Sequence, residues 1–382
     1  MNTILKPLFL CVISVYLILI TRATAQQTES ASQNLILSAS VGKGNVLATN
    51  PFVTGDNLQQ KPITNFRFIS VKALWQNPGY KVWQRQYKSP YYGAGISFGD
   101  FFNKEEVGTP VSAYGILGIP IKRWNKVSCY TEFQFGLASN WKHYDSVYNP
   151  KNIVIGGNLT LHLDIGFKVF AHLSPFVDFG GGISFIHFSN GGFERPNRGF
   201  NLLSPYAELR YRFAGRPDYR QIPRPATRNT SRELYFMLGY GNHQLVEHEL
   251  DSNYFAISGI SIIGFQNFSN SFRLGTGLDI NYWFGLNARS DGTIGPRTLG
   301  NFTLGLLLQP EMVIDRLTIV GGVGIYALHL KHGNFHQTYQ RLGVRFNVFD
   351  NFSCGVNVRS INFMLAEFME FNIGYTLKPN RN

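Results

Sequence analysis

Apolar and polar residues alternate along most of this chain, in runs broken by clusters of Gly, Asn, Pro and Lys. Alternation with period two places one face of an extended segment against apolar surroundings and the other against polar ones, and so marks strands. In the first half the pattern predicts eight strands, near 35–46, 63–76, 91–101, 110–121, 126–139, 152–168, 171–189 and 202–214. A second set of about eight runs from Glu233 to Leu377. The stretch between them, 215–231, is polar, carries three prolines and reads as a linker. If the first set begins and ends on the inner side, odd strands climb outward and even ones return. The connections 47–62 and 140–151 then fall outside, and the tight turn Lys122–Asn125 falls inside. The connection 77–90 is longer than the inner turns of bacterial barrels usually are.

Ahead of the strands lies an address. Lys6 closes a short positive segment, Pro7 to Ile20 is apolar and uncharged, and Ala23-Thr24-Ala25 supplies the small residues of a cleavage site. Residues 1–25 are thus expected to be a signal peptide. Cys11 has no small residue before it, which argues against a lipid anchor. Beyond the signal no apolar run reaches the roughly 20 residues that a spanning helix needs, so any membrane crossing falls to strands. Composition agrees: 32 Phe, 19 Tyr and 39 Gly, with mean hydropathy near zero, suit strands facing lipid on one side and a polar lumen on the other. The expected fold is all-β, an antiparallel barrel of the bacterial outer membrane. It comprises an eight-stranded unit over 26–214 and a second, repeat-related unit over 232–382, each closing separately; one larger barrel of about sixteen strands is the alternative. A net charge of +12 is spread along the chain and not gathered into a nucleic-acid stripe. It suits a surface that meets phosphorylated lipid. Cys129 and Cys354, one in each half, form no disulfide framework.

The halves echo each other in order. Gly42-Lys-Gly44-Asn45 is answered by Gly239-Tyr-Gly241-Asn242, Gly93-Ala-Gly95 by Gly275-Thr-Gly277, and Gly182 to His187 by Gly324 to His329. At the place of Ser189 the last echo puts Lys331, so the second unit is expected to lack the serine.

Chemistry concentrates in one stretch, Gly180 to Asn201. On a strand, His187 and Ser189 face the same side with Cα atoms roughly 6.6 Å apart. That separation lets the imidazole take the serine proton. Ile183 and Phe185 share their parity, so the pair extends an apolar, lipid-facing row at the outer rim, opposite Gly182 and Ser184. Asn190 and the backbone at Gly191-Gly192 are candidate oxyanion donors. Asn201, opening the return strand, is the candidate third member that holds the imidazole tautomer, ahead of the carboxylates Glu194 and Glu208. The other histidines, His143, His162, His172 and His332, show no metal spacing, and Asp164 and Asp178 read as lumen groups. No cofactor or metal is expected.

The run His-x-Ser-Asn-x-Gly followed by Pro196-Asn197-x-Gly199 resembles the lipid A 3-O-deacylase (PagL) family, eight-stranded outer-membrane barrels that remove an acyl chain from lipopolysaccharide. The resemblance covers roughly 35–215, including Gly136-Leu-Ala-Ser-Asn-Trp141 and Gly156-Gly-Asn158. It implies His187 as base, Ser189 as nucleophile and Asn190 with Gly192 as oxyanion hole, with lipid A of the outer leaflet as substrate. One departure stands out, because the family carries Glu where this chain has Asn201. The outer-membrane phospholipases A share His-x-Ser-Asn-Gly and an Asn as third member, so phospholipid is the rival substrate. The Pro-Asn-x-Gly run and the eight-strand count favour the deacylase. A non-catalytic, porin-like barrel carrying a decayed motif is the remaining reading.

Overall fold

The computed structural model describes residues 35–77, 79, 81–217, 230–244, 254–285, 299–329, 337–361 and 365–378. Its strands are β1 (Leu35–Val46), β2 (Asn65–Trp75), β3 (Tyr91–Asp100), β4 (Gly108–Arg123), β5 (Val127–Trp141), β6 (Thr160–His172), β7 (Val177–Ser189), β8 (Phe200–Arg212), β9 (Arg232–Gln244), β10 (Tyr254–Asn267), β11 (Phe272–Trp283), β12 (Phe302–Ile314), β13 (Leu317–His329), β14 (Thr338–Asn347), β15 (Phe352–Ile361) and β16 (Leu365–Leu377). Two short helices, α1 (Pro51–Thr54) and α2 (Val82–Gln86), sit in the β1–β2 and β2–β3 connections.

These strands close into two antiparallel barrels. β1 to β8 pair in sequence and β1 returns to β8, from Ile36↔Arg212 to Val46↔Leu202. β9 to β16 close likewise, with β16 on β9. Two units therefore form in place of one larger barrel. The signal segment and residues 218–229 of the linker lie outside the described residues.

Sidedness follows from the alternation. Val41, Ile69, Val71, Phe98 and Ile165 on the first barrel, and Leu238, Leu342 and Ile373 on the second, point outward and are more than half exposed. The charged side chains near the strand centres point inward. In the first lumen Lys168 bonds Glu132 (2.7 Å) and Glu208 (2.8 Å), Lys72 reaches the same two carboxylates, and Arg210 closes on Glu208 (2.7 Å). In the second, Arg341 and Arg359 hold Asp279, while Arg273 and Arg345 hold Glu311. A surface of apolar side chains around a core of paired charges is the inverse of a water-soluble fold and matches a lipid solvent. Eight strands leave room only for side chains, and here side chains fill it. Cys129 and Cys354 are free, on strands of different barrels.

Two predicted strands begin late. The apolar run from Asn152 is not part of β6. Residues 153–155 bend in place of a strand: Asn152 Oδ1 accepts the amides of Val154 and Ile155 (both 3.1 Å), while the amides of Arg198 and Gly199 in the β7–β8 connection donate to the carbonyls of Ile153 and Val154 (both 3.0 Å). Val154 and Ile155 are fully buried beneath the rim with Phe52, Phe101, Trp141, Phe188 and Phe200. The run is apolar because it seals the barrel mouth. Similarly, β7 starts at Val177, because Ser174 accepts the amides of Phe176 and Val177 and makes that segment a turn.

The third internal echo is corrected. Gly42/Gly44 and Gly239/Gly241 do occupy first strands, and Gly93/Gly95 and Gly275/Gly277 third strands. His187, however, is on the seventh strand of its barrel, whereas His329 is on β13, the fifth of the second. The strand in His187's place is β15, Phe352–Ile361, which has no histidine. The two glycines answer separate packing needs: a methyl at Gly324 would stand 2.2 Å from the Tyr339 ring, and one at Gly182 would stand 2.1 Å from the Phe167 carbonyl oxygen. Lys331 lies outside the described residues.

The long 77–90 connection has a use. At the end opposite the mouth, the Tyr87 hydroxyl donates to the carbonyls of Ser271 (3.1 Å) and Val313 (2.9 Å) of the second barrel. Burial raises the Tyr87 pKa above its ordinary value, which keeps it a donor. Lys81 lies 3.6 Å from Asp315 beside it.

Candidate active site

The outer end of β7 is aimed by its inward neighbours. Ile186 and Phe188 are buried in the mouth cluster, with the Phe188 ring edge-on to Trp141 at 5.2 Å. Slipping the strand by one residue would turn both into lipid, so the register is pinned. The alternate positions, Ile183, Phe185 and His187, therefore face outward, as the parity predicts; Ile183 and Phe185 are exposed and His187 is partly covered. Ser189 ends the row at the rim and is 7% exposed.

His187 Nε2 lies 2.9 Å from Ser189 Oγ, and His187 Nδ1 lies 2.8 Å from Asn201 Oδ1. A carboxamide oxygen only accepts, so Nδ1 carries the hydrogen and Nε2 is left as the acceptor of the serine proton. His187 and Asn201 are direct partners across β7 and β8. Asn201 is oriented in turn: its carboxamide nitrogen donates to Thr49 Oγ1 (3.3 Å), and its carbonyl accepts the amide of Leu47 (2.8 Å). The arrangement is a hydroxyl, a base and an orienting group in one relay, on the apolar side of a strand.

The loop from Asn190 to Gly199 covers this relay and is closed on itself. The Asn190 amide donates to Asn197 Oδ1 (3.0 Å), the Asn190 carboxamide nitrogen donates to the Glu194 carbonyl, and the Gly192 amide donates to Asn190 Oδ1 (3.0 Å). Both candidate oxyanion donors thus build the loop and do not point at Ser189. Gly199 has φ +70°, and a methyl there would stand 3.0 Å from His187 Cε1, so glycine is needed on both counts.

The remaining candidates lie elsewhere. Glu208 and Asp164 are buried in the lumen, and Asp178 bonds His172 (2.8 Å). His162 stacks on Tyr114 inside the barrel, His143 is exposed in a loop, and His332 lies outside the described residues. Glu194 contributes its main-chain carbonyl to Asn190. Among the described residues no His, Cys, Asp and Glu cluster has the makings of a metal site.

Sequence reasoning missed Thr49, and also Asn50, whose carboxamide donates to the Gly199 carbonyl (3.5 Å). Both reach the site because barrel closure sets the end of β1 beside β8. Asn197 was visible only as part of the Pro-Asn-x-Gly run.

Comparison with known proteins gives two family matches. Residues 69–212 match the family "Lipid A 3-O-deacylase (PagL)", and residues 232–379 match "Acyloxyacyl hydrolase, C-terminal domain". Between them these take in most of the chain. No curated protein matches the sequence. Among solved structures, the outer membrane enzyme PagL is 16% identical, with 45% of this chain and 97% of that one covered and a TM-score of 0.29. A mutant porin of Rhodopseudomonas blastica is 11% identical (90% and 99% covered, TM-score 0.18). The toluene transporter TodX of P. putida is 7% identical (92% of each covered, TM-score 0.19). At these TM-scores the structural likenesses carry no argument, and the family matches stand by themselves.

Proposed function

We propose, from the match of residues 69–212 to the lipid A 3-O-deacylase (PagL) family, that the chain is a serine esterase that cleaves the 3-O-linked acyl ester of lipid A. It is a β-barrel protein of the bacterial outer membrane and an acyl hydrolase by family. The division of the chain fits the same reading, with 1–25 as export signal, 26–214 as the catalytic barrel, 215–231 as linker and 232–382 as the second unit.

One observation carries the proposal: the relay Asn201–His187–Ser189 stands on the lipid-facing row, not in the lumen. An ester of an outer-leaflet lipid approaches from that side. His187 Nε2 takes the Ser189 proton as Oγ attacks the ester carbonyl, while Asn201 holds Nδ1–H in place. The Gly191 amide, between the two amides that the loop itself uses, is the donor available to the tetrahedral oxyanion. Collapse expels the sugar hydroxyl, which recovers the proton from His187, and water activated by the same imidazole releases the fatty acid.

The test is lipid A mass in cells expressing wild type or Ser189→Ala. Loss of one hydroxyacyl chain with wild type and its retention with the variant is expected; identical profiles would sink the proposal. A phospholipase A-like reading is favoured by one observation, the neutral Asn201 as third member. Phospholipid hydrolysis that disappears with a calcium chelator would establish it in place of the deacylase. A porin-like reading has less support, since buried side chains fill both lumens among the described residues.

A further inference from the structure

The loop that carries Asn190, Gly191 and Gly192 leaves its own barrel and lies on the second one. On β16, Met369, Phe371, Ile373 and Tyr375 share the outward row. Ile373 is 62% exposed, yet Met369 is only 4% exposed. What covers Met369 is the loop: a methyl on Gly191 would stand 3.0 Å from Met369 Cε and 3.2 Å from Cγ2 of Val358, its partner on β15. Gly192 continues the contact, with the same construction placing a methyl 3.0 Å from the Glu367 carbonyl oxygen and 3.2 Å from that of Ala366. Both glycines have positive φ, +66° and +83°. Glu367 is the extra residue of a bulge, since Ser360 pairs with Ala366 and Arg359 with Phe368. Bulges re-aim the chain at such places. Glu367 is itself buried and lies within the electrostatic reach of Arg195, further along the loop. A narrow cleft remains between the Arg195–Arg198 run and Leu365 with Ala366.

We propose that the second barrel is a brace for the catalytic loop, with Val358 and Met369 as positioning residues for hydrolysis in the first. A loop with glycine at 191, 192 and 199 has little stiffness of its own. Seating it on a rigid sheet holds Asn190 and its hydrogen bonds in one shape beside Ser189. The brace accounts for a second unit that itself lacks the histidine on its seventh strand. The catalytic half of this inference rests on the esterase reading above.

The test uses the full chain in lipid vesicles, with Val358→Ala/Met369→Ala. Both side chains point away from the second lumen, and folding is checked by heat-modifiable migration. The expected result is a kcat about tenfold lower with KM within about twofold, because small misplacements of a catalytic loop act on the chemical step. Amide exchange over 190–199 should quicken at the same time. Met369→Leu, which keeps the volume, should restore both readouts, and Ile373→Ala, on the same row but clear of the loop, should change neither. Should the double variant not fold, Met369→Ala alone serves, with about a threefold loss of kcat expected. Wild-type kcat and exchange in the braceless variant would overturn the inference. If wild type and Ser189→Ala release no fatty acid alike, the esterase reading fails separately, and amide exchange alone decides the brace: faster supports it, unchanged refutes it.

Discussion

Asn201→Ala isolates the weakest-looking member of the relay. The substitution removes the acceptor 2.8 Å from His187 Nδ1 and leaves the strand pairing of β7 with β8 intact. Two losses follow. The hydrogen bond itself has a net worth of about 0.5–1.5 kcal/mol, and a partly buried N–H left without a partner adds a cost on the order of 1 kcal/mol. The imidazole is also free to take the tautomer whose Nε2 is protonated and cannot accept from Ser189. Together these come to about 2 kcal/mol on the barrier, or roughly 30-fold in kcat. KM should scarcely change, since Asn201 touches His187 and Thr49 and is not expected to touch the lipid. The assay is fatty-acid release from purified lipopolysaccharide in mixed micelles, with Ser189→Ala as background. A second measurement sharpens it: because Asn201 acts through the imidazole, His187→Ala/Asn201→Ala should be no slower than His187→Ala. A wild-type rate for Asn201→Ala, or an additive loss in the double variant, would refute the argument.

Two further outcomes follow from the barrel itself. Lys168→Met leaves Glu132 and Glu208 facing each other with one cation fewer, and should cost about 3–5 kcal/mol of stability; Lys168→Met/Glu208→Gln should recover much of it. The urea midpoint of refolding in vesicles measures both, and a Lys168→Met midpoint equal to wild type would contradict the lumen described here. Val71→Arg, on the outward face of β2, should make folding into vesicles less favourable by about 2–4 kcal/mol, read from the same urea midpoint, whereas the same change in a water-exposed barrel would be nearly neutral.

Much of this protein was readable from local pattern. Period-two alternation depends only on neighbours in the chain, so the strand count, the inside and outside of each strand and the lipid-facing parity of His187 and Ser189 were all available before folding. The pairing of His187 with Asn201 was legible for the same reason: a short loop joins two adjacent strands. The limits appeared where an apolar run was not a strand. Asn152 to Ile155 has the right composition for β6, but its partners are Arg198 and Gly199, and nothing local distinguishes a mouth seal from a ladder.

Long-range closure settled the rest. Thr49 stands behind Asn201 because β1 meets β8, a pairing between chain segments more than a hundred residues apart. The echo at Gly324–His329 proved to join glycines with different needs, the Tyr339 ring at Gly324 and the backbone of β6 at Gly182, and counting strands around the second barrel was required to see it. The seating of the 190–192 loop on Val358 and Met369 arises from how two closed surfaces meet. Alternation says which way a side chain faces; it holds no information about which distant surface will be there, because that depends on the summed register of sixteen strands.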